Sequence, residues 1–159
     1  MNWHEKNIVV TGAASGIGLR VAELLVARGA RVIAMDRNAP ALAAASYLQV
    51  DLANPANIDA AVTTLGDQPI HGLCNIAGVP EMAGNEAVYK VNYLGLRHLS
   101  VRLLPSMVNG AGIVNLCSTA GHMWRERAGL LWELANIADW HDADAWIAAH
   151  PVMFCLPKV

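Results

Sequence analysis

Three features are missing from this chain: a basic patch, a cysteine framework, and an apolar run long enough to cross a bilayer. Its eleven lysines and arginines against thirteen acids leave a formal net charge of −2, and they are scattered. No footprint for a nucleic-acid backbone or an anionic membrane results, so neither partner is expected. Three cysteines, Cys74, Cys117 and Cys155, are odd in number and widely separated. They match neither a disulfide scaffold nor a CxxC metal clasp, and read as reduced thiols. The opening stretch MNWHEKNIVV puts charge beside a strand-length apolar run, so no secretory signal and a cytoplasmic location are expected. Repeats, linkers and low-complexity tracts are absent too. What remains is 159 residues at 55% hydrophobic, enough for one sizeable core, and a single domain over 1–159 is expected.

Within that core, strand-like and helix-like segments alternate. Residues 7–11 (NIVVT) form a β-branched run, and 17–29 carry apolar residues at helical spacing, closing on Gly29 as a C-cap. Further apolar runs at 30–36, 47–52, 71–78 and 112–121 read as strands. Residues 56–65 and 86–107 read as helices between them. Continuous apolar runs suit strands buried on both faces. The alternation predicts an α/β fold with a Rossmann-like, doubly wound parallel sheet of about five strands.

The first strand runs into VVTGAASGIG. A strand feeding a helix through a glycine-rich turn gathers backbone N–H groups and the positive helix end at one point, and glycine lets a pyrophosphate come close. That is a reason for Gly12, Gly16 and Gly18, although a tight turn that binds nothing uses the same residues. Asp36 ends the second strand, where a carboxylate can accept both ribose hydroxyls of NAD and would repel a 2′-phosphate. Arg37, beside it, could pair with that phosphate instead. NAD is expected over NADP.

The turn Thr11-Gly12-Ala13-Ala14-Ser15-Gly16-Ile17-Gly18 resembles the TGxxxGxG cofactor turn of the short-chain dehydrogenase/reductase family. In register behind it come Asp51-Leu52, Asn75-Ile76-Ala77-Gly78, Asn92 and Ser118. The resemblance spans residues 7 to about 121. Within the family it is strongest to the coniferyl alcohol dehydrogenases and their 3α-hydroxysteroid dehydrogenase/carbonyl reductase relatives, through GLCNIAGVP, VNYLGL and IVN. It implies a cofactor site built from Gly12, Ser15, Gly16, Ile17, Gly18, Asp36, Arg37, Asp51, Leu52, Asn75, Ala77 and Gly78. Asp51 would accept from the adenine amino group, and 75–78 would wall the adenine ribose. It also implies catalytic roles for Asn92, supporting a water in a proton relay, and Ser118, donating to the substrate oxygen. The expected substrate is a small alcohol or ketone, an aromatic alcohol or a hydroxysteroid.

The family's Tyr-x-x-x-Lys pair does not follow. The tyrosines are Tyr47, Tyr89 and Tyr93, all ahead of Ser118, and Lys158 is the sole lysine beyond it. Residues 122–150, with Trp124, Trp132, Trp140 and Trp146, look like a helical insertion of this branch, and the ending FCLPKV reads as truncated. A fragment, a truncated product and a replaced tail all stay open, as does a nucleotide-binding module without turnover. Association into a homo-oligomer is expected to cover apolar surface left bare. The cluster Asp139, His141, Asp142 and Asp144 reads as helix-start acids, with no metal expected.

Overall fold

A computed structural model describes residues 2–43, 45–121 and 124–150. Five parallel strands line up in the order β3-β2-β1-β4-β5. They are β1 (Asn7–Thr11), β2 (Arg31–Asp36), β3 (Ser46–Gln49), β4 (Ile70–Asn75) and β5 (Met107–Asn115). β1 pairs residue for residue with β2, from Asn7 opposite Arg31 to Thr11 opposite Met35. On its other side Ile8, Val9 and Val10 pair with Gly72, Leu73 and Cys74 of β4. The chain order therefore reverses between β1 and β4. In open α/β sheets the crevice beyond the carboxyl ends of such a strand pair is where ligands bind.

Helices α1 (Gly16–Val26), α2 (Pro55–Leu65), α3 (Asn85–Tyr89) and α4 (Leu96–Leu103) follow β1, β3 and β4, and α5 (Ala128–Asn136) and α6 (Trp140–Ala149) follow β5. The sheet alternates its buried side chains between two layers, as period-two strands must. Val9, Ile33, Met35 and Leu73 pack with Ile58 and Leu65 of α2 and Leu99 and Leu103 of α4. Ile8, Val10, Val32 and Ala34 pack on the other face with Ala22, Leu25 and Val26 of α1. Tyr89, Leu94, Leu134, Ala143 and Ile147 make a third cluster that joins α5 and α6 to the segment after α3.

Local chemistry sets the element ends. Asn54 caps α2 by accepting from the Asn57 amide, with Pro55 at the first helical position. α1 closes in a Schellman turn, with Gly29 N donating to Val26 O and Ala30 N to Leu25 O, at a left-handed φ of +82° on Gly29. Asp139 caps α6 by accepting from the His141 and Asp142 amides at 2.8 and 3.1 Å. Those amides hold its carboxyl below the usual range, Asp142 contributing most, so the acid cluster in that segment begins a helix.

Two expected elements differ. The long helix over 86–107 is broken: Lys90–Gly95 is wound as a π-helix, and Leu104–Ser106 is a 3₁₀ turn. The π stretch lies where Gly95 meets the Leu52 carbonyl, a contact that no side chain could share. β5 begins at Met107, earlier than the expected 112. Met107 pairs with Ile70 while Gly112 pairs with Gly72. The residues between them bulge from the ladder, with Gly110 at φ +84°. β5 leaves Ile113 and Val114 40% and 61% exposed. Cys155 lies outside the described residues, and no described helix is long and apolar enough to cross a membrane.

Candidate functional site

The mouth of the β1–α1 connection is the natural place to build a site. Gly12 takes φ +70° and Gly16 φ +53°, left-handed values that glycine adopts without a Cβ penalty. A Cβ on Gly12 would stand 2.8 Å from the backbone of Ala77, and one on Gly18 would collide with the Gly12 carbonyl. The turn is thus closed on both sides by main chain. Thr11 locks it to the next strand: its hydroxyl accepts from the Ile76 and Ala77 amides at 2.9 and 3.0 Å and donates to the Cys74 carbonyl at 3.4 Å. Burial pushes the neighbouring Cys74 thiol up, away from the thiolate that reactive cysteines need.

In front of this turn opens a cleft of about 360 Å³. Ser15, Gly16, Ile17 and Gly18 form its floor at the start of α1. The first amides of a helix have no carbonyl partner inside it and carry the positive end of its dipole, so the floor favours an anion. The Ser15 hydroxyl makes no cap to α1. Asp36, Arg37 and Asn38 line one end of the cleft, Asp51 and Leu52 the side, and Ile76, Ala77, Gly78 and Val79 the opposite wall.

Asp36 is held firmly. Its Oδ2 accepts from the Ala14 amide and its Oδ1 from the Asn38 amide, both at 3.0 Å. Each oxygen keeps a lone pair beyond these bonds. Asp51 Oδ1 accepts from the Ala53 amide at 2.9 Å, and the Asp51 amide donates to Asn57 of α2 at 2.6 Å. The Asp51–Leu52 corner is thereby fixed against α2.

Of the expected site residues, Gly12, Ser15, Gly16, Ile17, Gly18, Asp36, Arg37, Asp51, Leu52, Ala77 and Gly78 meet around this one cleft. Asn75 is turned aside. It is 1% exposed, and its Nδ2 donates to Ser100 Oγ at 3.1 Å and Asn115 Oδ1 at 2.9 Å, stitching β4 to α4 and β5. Its neighbours, rather than its own side chain, form the wall. Asn92 sits in the π-helical stretch with its Oδ1 accepting from the Val79 amide at 2.8 Å and its Nδ2 donating to the Val79 carbonyl at 2.9 Å. Ser118 is exposed three residues past the end of β5, and Leu116 is the nearest part of that segment to line the cleft.

Sequence reasoning missed Met35, Asn38, Val50, Val79, Val91 and Leu116, which also line the cleft. Asn38 and Val79 could have been suspected from adjacency to Asp36 and Gly78. Val91 arrives only through the π-helical winding. Among the described residues no group of three or more His, Cys, Asp or Glu converges as a metal site.

A family profile described as short chain dehydrogenase matches residues 6–129. The chain belongs to that family. It is 43% identical over 157 residues to a coniferyl-alcohol dehydrogenase of Pseudomonas sp. strain HR199, covering 98% of this chain and 61% of that protein. A 1-deoxy-11-beta-hydroxypentalenate dehydrogenase of Streptomyces avermitilis is 32% identical over 145 residues, covering 76% of this chain and 53% of that one. Among solved structures, the 3-alpha-hydroxysteroid dehydrogenase of Pseudomonas sp. B-0831 complexed with NADH superposes with a TM-score of 0.70 at 29% identity, over 91% of this chain and 57% of that chain. A C-terminal deletion mutant of Thermoplasma acidophilum aldohexose dehydrogenase gives 0.67 at 27% identity, over 86% and 60%. The chain therefore spans between about half and three fifths of the length of these relatives.

Proposed function

We propose that this chain forms the NAD-binding part of an oxidoreductase that transfers hydride between a nicotinamide and an alcohol or carbonyl compound, with an aromatic alcohol of the coniferyl type or a ring alcohol of the hydroxysteroid type as substrate. The observation that carries the reading is Asp36, a carboxylate fixed by two amides at the rim of a cleft whose floor is a bare helix start.

A dinucleotide fits these residues. At Gly16 an added Cβ would meet nothing within 4 Å, and glycine leaves that space without a side chain, so a diphosphate can approach the amides of residues 16–18. Asp36 has the acceptors for a ribose diol, and its charge opposes a 2′-phosphate at the same place. Asp51 and Leu52, which line the cleft, would face the adenine, and the small residues Ala77 and Gly78 would make room for the ribose. A bound nicotinamide supplies the hydride acceptor or donor. Ser118 would donate a hydrogen bond to the substrate oxygen as negative charge grows there. Asn92, with both side-chain ends on Val79, acts as a positioning residue for the wall. The name of the Pseudomonas relative and its 43% identity support the aromatic alcohol.

A second reading is favoured by one sequence fact: no tyrosine follows Ser118. On that reading these 159 residues bind the dinucleotide without themselves supplying the acid/base pair that the resemblance implies. One experiment covers both readings. NADH is titrated into the purified chain, and NADH formation is then followed with NAD and coniferyl alcohol or a 3α-hydroxysteroid. Saturable binding with turnover supports the oxidoreductase, saturable binding without turnover supports the module, and absence of binding removes both.

A further inference from the structure

Asp36 is held through its side chain by the two amides described above, and its main chain is held from a different direction. The Asp36 carbonyl accepts from the Val50 amide at 2.9 Å, as the parallel ladder requires. It also accepts from the phenol of Tyr47, at 3.2 Å. The next carbonyl, that of Arg37, accepts from Gln49 Nε2 at 3.1 Å. Tyr47 and Gln49 stand two residues apart on β3, so they point to the same face of the sheet. In register they lie beside Ala34 and Asp36. An edge strand of four residues thus sends two consecutive same-face side chains onto two consecutive carbonyls, those of Asp36 and Arg37. These are the residues at which a ribose diol and a 2′-phosphate would be told apart.

Neither bond is needed to form the sheet. The β2–β3 ladder already joins Ile33 to Ser46 through Asp36 to Gln49, and a strand-end carbonyl beyond it could be satisfied by water. The Tyr47 ring is half-buried, so its hydroxyl is aimed by packing rather than left to sweep solvent. We propose that Tyr47, assisted by Gln49, is a positioning residue for dinucleotide selection: the pair fixes the Asp36–Arg37 main chain so that the carboxylate stays at the ribose position and keeps a 2′-phosphate out. The inference rests on the cofactor reading given above.

The sign of the effect separates selection from ordinary support. If Asp36 is released, NADH loses an acceptor while NADPH loses a repulsion, so the two affinities move in opposite senses and converge. General loosening of the cleft weakens both together. Tyr47→Phe removes the hydroxyl and keeps the ring, and Gln49→Ala removes the second brace. Ser46→Ala serves as the control, because Ser46 Oγ donates to the Val32 carbonyl at 3.3 Å, on the same strand but away from the cleft.

Two readouts are made on the full chain. Without cofactor, amide exchange at Ala14 and Asn38, the donors to Asp36, is expected to quicken roughly 2- to 12-fold in Tyr47→Phe, the span carried by one net hydrogen bond. It should hold steady in Ser46→Ala. In fluorescence titrations, the ratio of the NADPH to the NADH dissociation constant is expected to fall by a similar factor in Tyr47→Phe and again in the double variant. NADPH binding should be unchanged or tighter, and melting should stay near that of the parent. Parallel weakening of both dinucleotides, or an unmoved ratio, overturns the proposal. If the parent chain binds neither dinucleotide, the cofactor reading fails and the selectivity claim falls with it. The exchange rates then still decide, separately, whether Tyr47 holds Asp36.

Discussion

Asn92 closes both ends of its amide on the backbone of a single residue, Val79, at 2.8 and 2.9 Å. The bond pair ties the π-helical stretch behind α3 to the lining of the cleft, two residues past Ala77, against whose backbone the glycine turn packs. A distortion in a helix and the shape of a binding wall are one feature here. π-Helical turns of this kind occur often at functional sites.

Asn92→Ala leaves the Val79 N–H and C=O without their side-chain partner. A loss of roughly 1–3 kcal/mol in urea unfolding is expected, two part-buried hydrogen bonds at about 0.5–1.5 kcal/mol each. Asn92→Asp should recover part of it, because a carboxylate still accepts from the Val79 amide while it opposes the carbonyl. Equal stability of Asn92→Ala and the parent would show that the clamp contributes nothing.

Gly12 and Gly16 separate sterics from conformation. Both have positive φ, but only Gly12 has backbone within 4 Å of the added Cβ. Gly16→Ala is expected to cost only the left-handed conformation, about 1–2 kcal/mol. Gly12→Ala adds displacement of Ala77, so its loss should exceed that of Gly16→Ala by about 1–3 kcal/mol and be accompanied by loss of NADH binding. Thermal unfolding with and without NADH makes the comparison.

Asp36→Ala removes the carboxylate from the cleft. NADH binding should weaken by roughly 1–3 kcal/mol, the range for donors that lose a buried acceptor. Isothermal titration measures it, and an unchanged affinity would count against the ribose contact.

Asp139 carries a pH dependence of known sign. Its carboxyl titrates below its ordinary value because the amides of Asp142 and His141 donate to the charged form. Its contribution to stability is therefore complete above the ordinary carboxylate pKa and is lost as pH falls through the lowered native value. Asp139→Asn keeps a capping oxygen without the charge, so its urea midpoint should fall less steeply than the parent's through this acid window. Asp139→Ala should be less stable than both near neutral pH.

How much of this was legible in the sequence follows from the range of each interaction. The glycine turn and Asp36 are set by neighbours in the chain, and the expected strands around β1 and β2 lie where sequence patterning puts them. The end of α1 at Gly29 is equally local. The π-helical winding is not: it coincides with Gly95 meeting the Leu52 carbonyl, a contact between segments far apart along the chain. The resemblance places Asn75 in the cofactor wall, as part of the Asn75-Ile76-Ala77-Gly78 motif. Its side chain instead answers to Ser100 and Asn115, two partners that no spacing rule connects to it. Apolar periodicity locates α1 but does not say which of its residues are buried: Ile17 and Leu24 are 59% and 38% exposed, and the packing falls on Ala22, Leu25 and Val26. Ile17 is turned to the cleft.

On the proposed function, a dinucleotide lies along the cleft with its diphosphate on the amides that open α1. A ¹⁵N–¹H NMR titration of the chain with NADH tests this residue by residue. The account predicts saturating shifts concentrated at Gly12, Ser15 to Gly18, Asp36 to Asn38, Asp51, Leu52 and Ala77 to Val79, with α5 and α6 little changed. Shifts gathered on α5 and α6, or a spectrum that NADH leaves untouched at millimolar concentration, would contradict it.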